Sequence, residues 1–227
     1  MKKFRYNWLD CGLCRYGAVY VISAILLLSP VVFATTLDDI LDGLETRYSG
    51  PGFSAKFFQI STLKAMQIKE TASGRLFVKR PGKMRWEYDS PERQVIITDG
   101  KKLWIYRPDD NQVMIGKAPA FFGDGKGAGF LSNIRQIRQN FELSLQAESQ
   151  ESNFILQLIP KEKTYDISTV YLSIVPQTFD VVQVITLNEY DDETQIDLHD
   201  ITYNQNQPDS LFTLQIPKDA DVVQIDE

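Results

Sequence analysis

Only two cysteines, Cys11 and Cys14, and one histidine, His199, occur in the 227 residues. Two cysteines this close can form a disulfide or hold a metal. These two lie upstream of an apolar run that reads as an export leader, so cleavage removes them. What is left has no thiol nucleophile, disulfide framework or thiolate metal site. They are also misplaced for lipidation, which needs a cysteine just after the apolar run. A single histidine excludes zinc sites built on His clusters. Neither His-Glu-x-x-His nor the Gly-x-Ser-x-Gly elbow occurs. His199 has Asp197 and Asp200 close by, and a His–carboxylate pair is able to orient a base. The simpler reading is a partly exposed strand histidine beside acids. With no convergent acid, base and nucleophile, the expectation is a protein that is not an enzyme and has no cofactor and no metal.

Long apolar runs are also lacking after residue 34, where no stretch approaches the roughly 20 apolar residues a spanning helix needs. Before it, Lys2, Lys3, Arg5 and Arg15 precede an apolar run from Gly17 to Val32, and Val32-Phe33-Ala34 offers a cleavage site. This is the secretory pattern. The expected organisation is a cleaved signal peptide over 1–34 and one domain over 35–227. Those 193 residues hold 20 Lys and Arg against 29 Asp and Glu, a net charge of −9. They suffice for one substantial core. An acidic chain of this kind is unsuited to nucleic acid, whose phosphates need clustered cations. Protein partners with basic faces fit it better. Asp191-Asp192-Glu193 reads as an acidic hairpin turn rather than a calcium loop. Gly123 to Gly129 lacks the Gly-Lys-Ser/Thr ending of a phosphate loop and reads as a plain loop.

What is present is mostly strand. Leu37, Ile40, Leu41 and Leu44, then Tyr48, fall at helical spacing, with Thr36 as N-cap and Asp38 and Asp39 at the positive end of the dipole. Ser49-Gly50-Pro51-Gly52 stops that helix. Strands are then expected over 53–61, 66–79, 84–89, 93–98, 102–107, 112–116, 141–148, 153–160, 168–175, 181–189, 193–203 and 212–216. Short turn signals between several of them imply an antiparallel meander. Between Pro119 and Asn140 the pattern changes. Phe130 to Ile137 predicts a short helix with Phe130, Leu131, Ile134 and Ile137 on one side, a candidate lid.

Alternation identifies the inner face. In Leu76-Phe77-Val78-Lys79-Arg80 the face with Leu76 and Val78 turns inward. Arg80 shares that face at the strand end, and Pro81 favours an extended Arg80. Met84, Trp86 and Tyr88 share a face on the next strand. An inward arginine is costly without partners. It is either in a salt bridge or at a rim position, or it is a donor set for lid carbonyls or a polar group on a ligand.

Three blocks then carry a resemblance: Gly74-Arg75-Leu76-Phe77-Val78-Lys79-Arg80-Pro81, Met84-Arg85-Trp86, and Thr98-Asp99-Gly100-Lys101-Lys102-Leu103-Trp104-Ile105-Tyr106. Together they resemble the periplasmic outer-membrane lipoprotein carrier family, LolA. Phe53 to Gln59 is similar to that family's first strand, and Ser210-Leu211-Phe212-Thr213-Leu214 with Pro217 to its last. The resemblance implies a mainly β (α+β) fold, an incomplete antiparallel β-barrel with a helical lid over an apolar cavity. It implies a periplasmic monomer that takes acylated lipoproteins from an inner-membrane ABC transporter of the LolCDE type. An outer-membrane receptor, LolB-like where one exists, receives them. The family's functional arginine falls on Arg80, where it holds the lid closed through hydrogen bonds to lid backbone. Cavity-lining positions are expected at Phe57, Leu76, Val78, Met84, Trp86 and Ile97, with Phe130, Leu131 and Ile134 on the lid. A periplasmic lipid-binding, lipid-transport or lipid-sensing module of the same fold is the alternative.

Overall fold

The computed structural model describes residues 35–118, 134–146, 153–162 and 166–225. The expected leader, the glycine-rich stretch 123–129, and Phe130 and Leu131 lie outside them. Helix α1 spans Leu37–Arg47. A capping box sets its start: the Thr36 hydroxyl accepts from the Asp39 amide at 3.2 Å, and the Asp39 carboxylate accepts from the Thr36 amide at 2.9 Å. Donors that a helix start otherwise leaves orphaned are thereby satisfied. Ile40, Leu41 and Leu44 form its buried stripe.

Twelve strands follow among the described residues. They are β1 (Gly52–Leu63), β2 (Ile68–Lys79), β3 (Lys83–Ser90), β4 (Gln94–Thr98), β5 (Lys102–Arg107), β6 (Gln112–Lys117), β7 (Phe141–Gln146), β8 (Phe154–Pro160), β9 (Thr169–Ile174), β10 (Val181–Leu187), β11 (Glu193–Tyr203) and β12 (Asp221–Gln224). A short helix, α2 (Arg135–Asn140), precedes β7. All twelve strands belong to one curved, open sheet in the order β12-β6-β5-β4-β3-β2-β1-β11-β10-β9-β8-β7. Two antiparallel meanders, β1 to β6 and β7 to β11, are thus joined by the pairing of β1 with β11. Residues 36–227 make one compact unit.

Cross-strand register fixes the faces. Ala55 pairs with Leu76, which pairs with Trp86, which pairs with Ile96, which pairs with Ile105. All five are buried on the concave side. Their neighbours in sequence point outward. Gly74 sits at a register shift between β2 and β3. A Cβ there would meet the Glu87 carbonyl oxygen at 1.9 Å, so this close approach admits only glycine.

Two expectations are corrected. The last strand, expected at 212–216, is instead a 3₁₀ turn at Asp209–Phe212 followed by irregular backbone. Pro208 and Pro217 flank the segment and supply no amide for a ladder. Phe212 turns into the outer face of the first meander, where it is fully buried with Ile97, Trp104 and Val113. The last described strand, β12, pairs in parallel with β6, so the sheet is not purely an antiparallel meander. The segment from 208 to 220 forms a strap across the outside. Asp209 bonds Lys79 at 2.7 Å and Lys83 at 3.0 Å, and Arg85 donates to the Leu211 carbonyl at 3.2 Å. Of the short helix expected over Phe130–Ile137, residues 130–133 lie outside the described residues, and α2 covers Arg135–Asn140 with Ile134 at its N-cap.

Replacing Gly74 by Ala should force β2 and β3 apart and lower the unfolding free energy by about 1–3 kcal/mol. Urea unfolding curves of the two proteins give the comparison. Equal midpoints would mean the ladder absorbs the methyl group.

A helix-covered concave face as the candidate site

The concave face is a continuous apolar surface under two helices. The sheet contributes Phe57, Leu76, Val78, Met84 and Trp86 from the first meander and Leu156, Leu172, Val184 and Leu198 from the second. Over them lie Ile40, Leu41 and Leu44 of α1, and Ile134 and Ile137 at α2. Phe57 packs edge-on against Trp86, with ring centroids 4.9 Å apart, and against Tyr88 at 5.0 Å. Thr98 is the one buried polar residue among those described.

Five of the six expected lining residues therefore face this interior. Ile97 does not. It pairs with Arg85 on one side and Trp104 on the other, and sits under Phe212 on the outer face. Val95-Ile96-Ile97 is apolar on both sides because the strap covers the outside, so alternation could not separate the two faces there. Ile134 is buried in the same cluster.

Arg80 stands at the rim, in the turn directly after β2. Its Nε donates to the Gly50 carbonyl at 2.8 Å. The backbone it holds is thus the loop leaving α1, rather than α2. Its two terminal nitrogens are buried and have no hydrogen-bond partner. Burial pulls its pKa below the usual arginine value, against the opposing influence of Tyr48 and Tyr203.

The two helices are attached differently. The C-terminal end of α1 is pinned by partly buried groups. Arg47 Nε donates to Asp180 at 2.5 Å while its guanidinium lies 3.7 Å over the Tyr203 ring. The Val181 amide donates to the Tyr48 hydroxyl at 3.0 Å, and Phe179 lies so close to Gly43 that a Cβ would sit 2.5 Å from its ring. By contrast, α2 is held by cations near solvent. Arg138 reaches three carboxylates of α1: Asp38 at 2.8 Å, Glu45 at 3.0 Å, and Asp42. Lys161 caps the end of α2 by donating to the Arg138 and Gln139 carbonyls at 3.2 and 2.9 Å. Sequence reasoning missed Arg138, whose acidic partners lie 93–100 residues away. The acids at i, i+4 and i+7 of α1 were the available signal.

His199 is exposed on β11, a strand residue beside the Lys56–Asp200 ion pair. Asp191 and Asp192 lie in the turn before β11 and bond Lys64. Among the described residues no cluster of His, Cys, Asp or Glu is suited to a metal, and no helix is long and apolar enough to cross a membrane.

These features define an open, helix-covered half-barrel with an apolar concave face and its charged groups at the rim. The model of the outer membrane lipoprotein carrier protein LolA matches residues 50–215, and the chain belongs to that family. An outer-membrane lipoprotein carrier protein of Pseudomonas putida is 31% identical over 156 residues, covering 69% of this chain and 73% of that one. One from Hahella chejuensis is 26% identical over 211 residues, covering 93% and 97%. A crystal structure of an uncharacterised conserved protein from Thermus thermophilus superposes with a TM-score of 0.53 at 17% identity. The superposition covers 82% of this chain and 98% of that one and shows the same fold.

Two outcomes are expected. Exposed ion pairs contribute about 0.2–1 kcal/mol each and are screened by salt. Arg138→Ala should therefore speed hydrogen exchange in α2 without comparable change in α1, and high salt should do part of the same to the wild type. Unchanged α2 exchange in the variant would show that Arg138 does not hold the helix. Burial raises the pKa of Tyr48 and Tyr203, and that of Tyr88 to about 12. Unfolded tyrosines titrate near 10. The stability these groups contribute is full below pH 10 and is lost as pH rises toward the folded values. Urea midpoints should fall above pH 10, and Tyr88→Phe should flatten that fall; an identical slope in the variant would rule Tyr88 out as a cause.

Proposed function

We propose that this chain is a periplasmic carrier that shields the acyl chains of lipoproteins between the inner and outer membranes and does no chemistry on them. The observation that supports this most is the concave face, apolar across both meanders and covered by two small helices. Burying one sixteen-carbon chain gains roughly 13 kcal/mol, at about 0.8 kcal/mol per methylene. A lipoprotein with several such chains is not free in water at useful concentration, so its transfer needs a container. Known non-covalent affinities saturate near −18 to −21 kcal/mol. A shuttle has to remain well short of that limit in order to let go.

Self-closure of the empty container supplies the necessary competition. In this reading Arg80 is a latch. It ties the loop after α1 to the rim of β2, and cargo entry breaks that tie. Lipoprotein arrives from an inner-membrane ABC transporter of the LolCDE type, where ATP drives loading. It leaves to an outer-membrane receptor, LolB-like where one exists. The carrier works as a monomer.

Mature protein incubated with vesicles containing the transporter, ATP and a tagged lipoprotein should yield a soluble one-to-one complex in native mass spectrometry. The complex should disappear when the lipoprotein lacks its acyl chains. Uptake of free lipid without lipoprotein would move the assignment to lipid transport. Arg80→Leu should load but release its cargo to the receptor several-fold more slowly, because its empty state no longer competes. Release at the wild-type rate would end the latch reading.

A further inference from the structure

The interior contains a polar group that neither its packing nor the helix attachments use. The Trp86 indole is 2% exposed and belongs to the concave-face cluster, yet its Nε1 has no hydrogen-bond partner among the described residues. Buried polar groups are paired in about nine cases of ten or more, and a buried indole N–H ordinarily finds an acceptor. Trp86 has none because of where it sits. Its cross-strand neighbours are Leu76 and Ile96, and the ring packed against it is Phe57. None of these side chains accepts a hydrogen bond. Strand β3 is flanked by β2 and β4, so the nearby backbone carbonyls are engaged in ladders. A lone water would be poorly held as well, since a buried water needs about two to four polar partners and the side chains directly beside the indole, Leu76, Ile96 and Phe57, offer none.

An unmet donor in an apolar container is matched to a guest that is apolar but brings one acceptor with it. An acyl chain is such a guest. Its hydrocarbon has no polar atom, but it begins at the carbonyl of an ester or amide. An alkyl chain of the same length has no such carbonyl.

We infer that the Trp86 Nε1–H is a cargo contact, donating to a carbonyl oxygen at the head of a bound acyl chain. The inference rests on the carrier reading above and names the chemical class that the site prefers: acyl over alkyl. Arg80 is a separate donor. It lies just past the end of β2, four residues beyond Leu76, the strand partner of Trp86.

The test uses two probes bound to the mature protein. One is a short peptide bearing a dipalmitoylglyceryl cysteine, with ester-linked chains. The other is the same peptide with two ether-linked hexadecyl chains. The wild type should bind the ester probe about threefold to tenfold more tightly, the range one net hydrogen bond supports. Trp86→Phe should bind both probes equally, near the wild-type affinity for the ether. Phe57→Leu keeps the indole but loosens its packing, and should weaken both probes while preserving their ratio. Equal binding of the two probes by the wild type would overturn the inference, as would an ester preference that survives Trp86→Phe. If the wild type binds neither probe, the carrier reading itself falls and takes this inference with it.

Discussion

The apolar stripe of α1 against the concave sheet is the contact on which the rest of the molecule depends. A sheet face made of Leu76, Val78, Met84, Trp86, Leu172 and Val184 would otherwise form an exposed apolar patch far larger than soluble proteins tolerate. Ile40, Leu41, Leu44 and Tyr48 remove it from water. The same contact sets the problem a carrier has to solve. Whatever displaces the helices has to offer the sheet an equally apolar surface, and burial of hydrocarbon makes no directional demands.

The attachments around that contact are graded. Around Tyr48 the backbone of β10, the Arg47–Asp180 pair and the Tyr203 ring converge on the end of α1. Six-residue α2 has no such anchorage among the described residues. A helix this short is not stable by itself, so it depends on Ile134 and Ile137 below and on Arg138 and Lys161 at its surface. The weaker set is the one nearest solvent. In a container that opens, the α2 side is where the physical cost of opening is smaller.

Local chemistry made much of this legible in the sequence. Thr36 with Asp39 marked the start of α1, and the alternation through Leu76 and Val78 placed the inner face and Arg80 with it. Trp86 followed from the same period. What could not be read depended on contacts distant in sequence. Ile97 went to the wrong face because the strap buries both sides of β4, which erases the polar half of the alternation. Phe212 looked like a strand residue because an isolated apolar run cannot say whether it pairs or plugs. Asp38, Asp42 and Glu45 share one face of α1, but nothing local to them names Arg138 as their partner. The unpartnered Trp86 nitrogen is a property of its surroundings and has no sequence signature.

The strap over the first meander has a mechanical side. The second apolar cluster is drawn from β2, β4, β5 and β6 and the segment after β11, with Phe212 among its fully buried members. That half of the sheet is therefore a laminate, backed on the outside and lined on the inside. On β8 to β11 the outward side chains include Gln157, Tyr171, Gln183, Gln195 and Asp197, which bond to one another in a partly exposed polar layer. A two-ply plate resists bending far more than a single ply. Any change of curvature is concentrated in the single-ply half, and the seam between the two stiffnesses lies along β1 and β11.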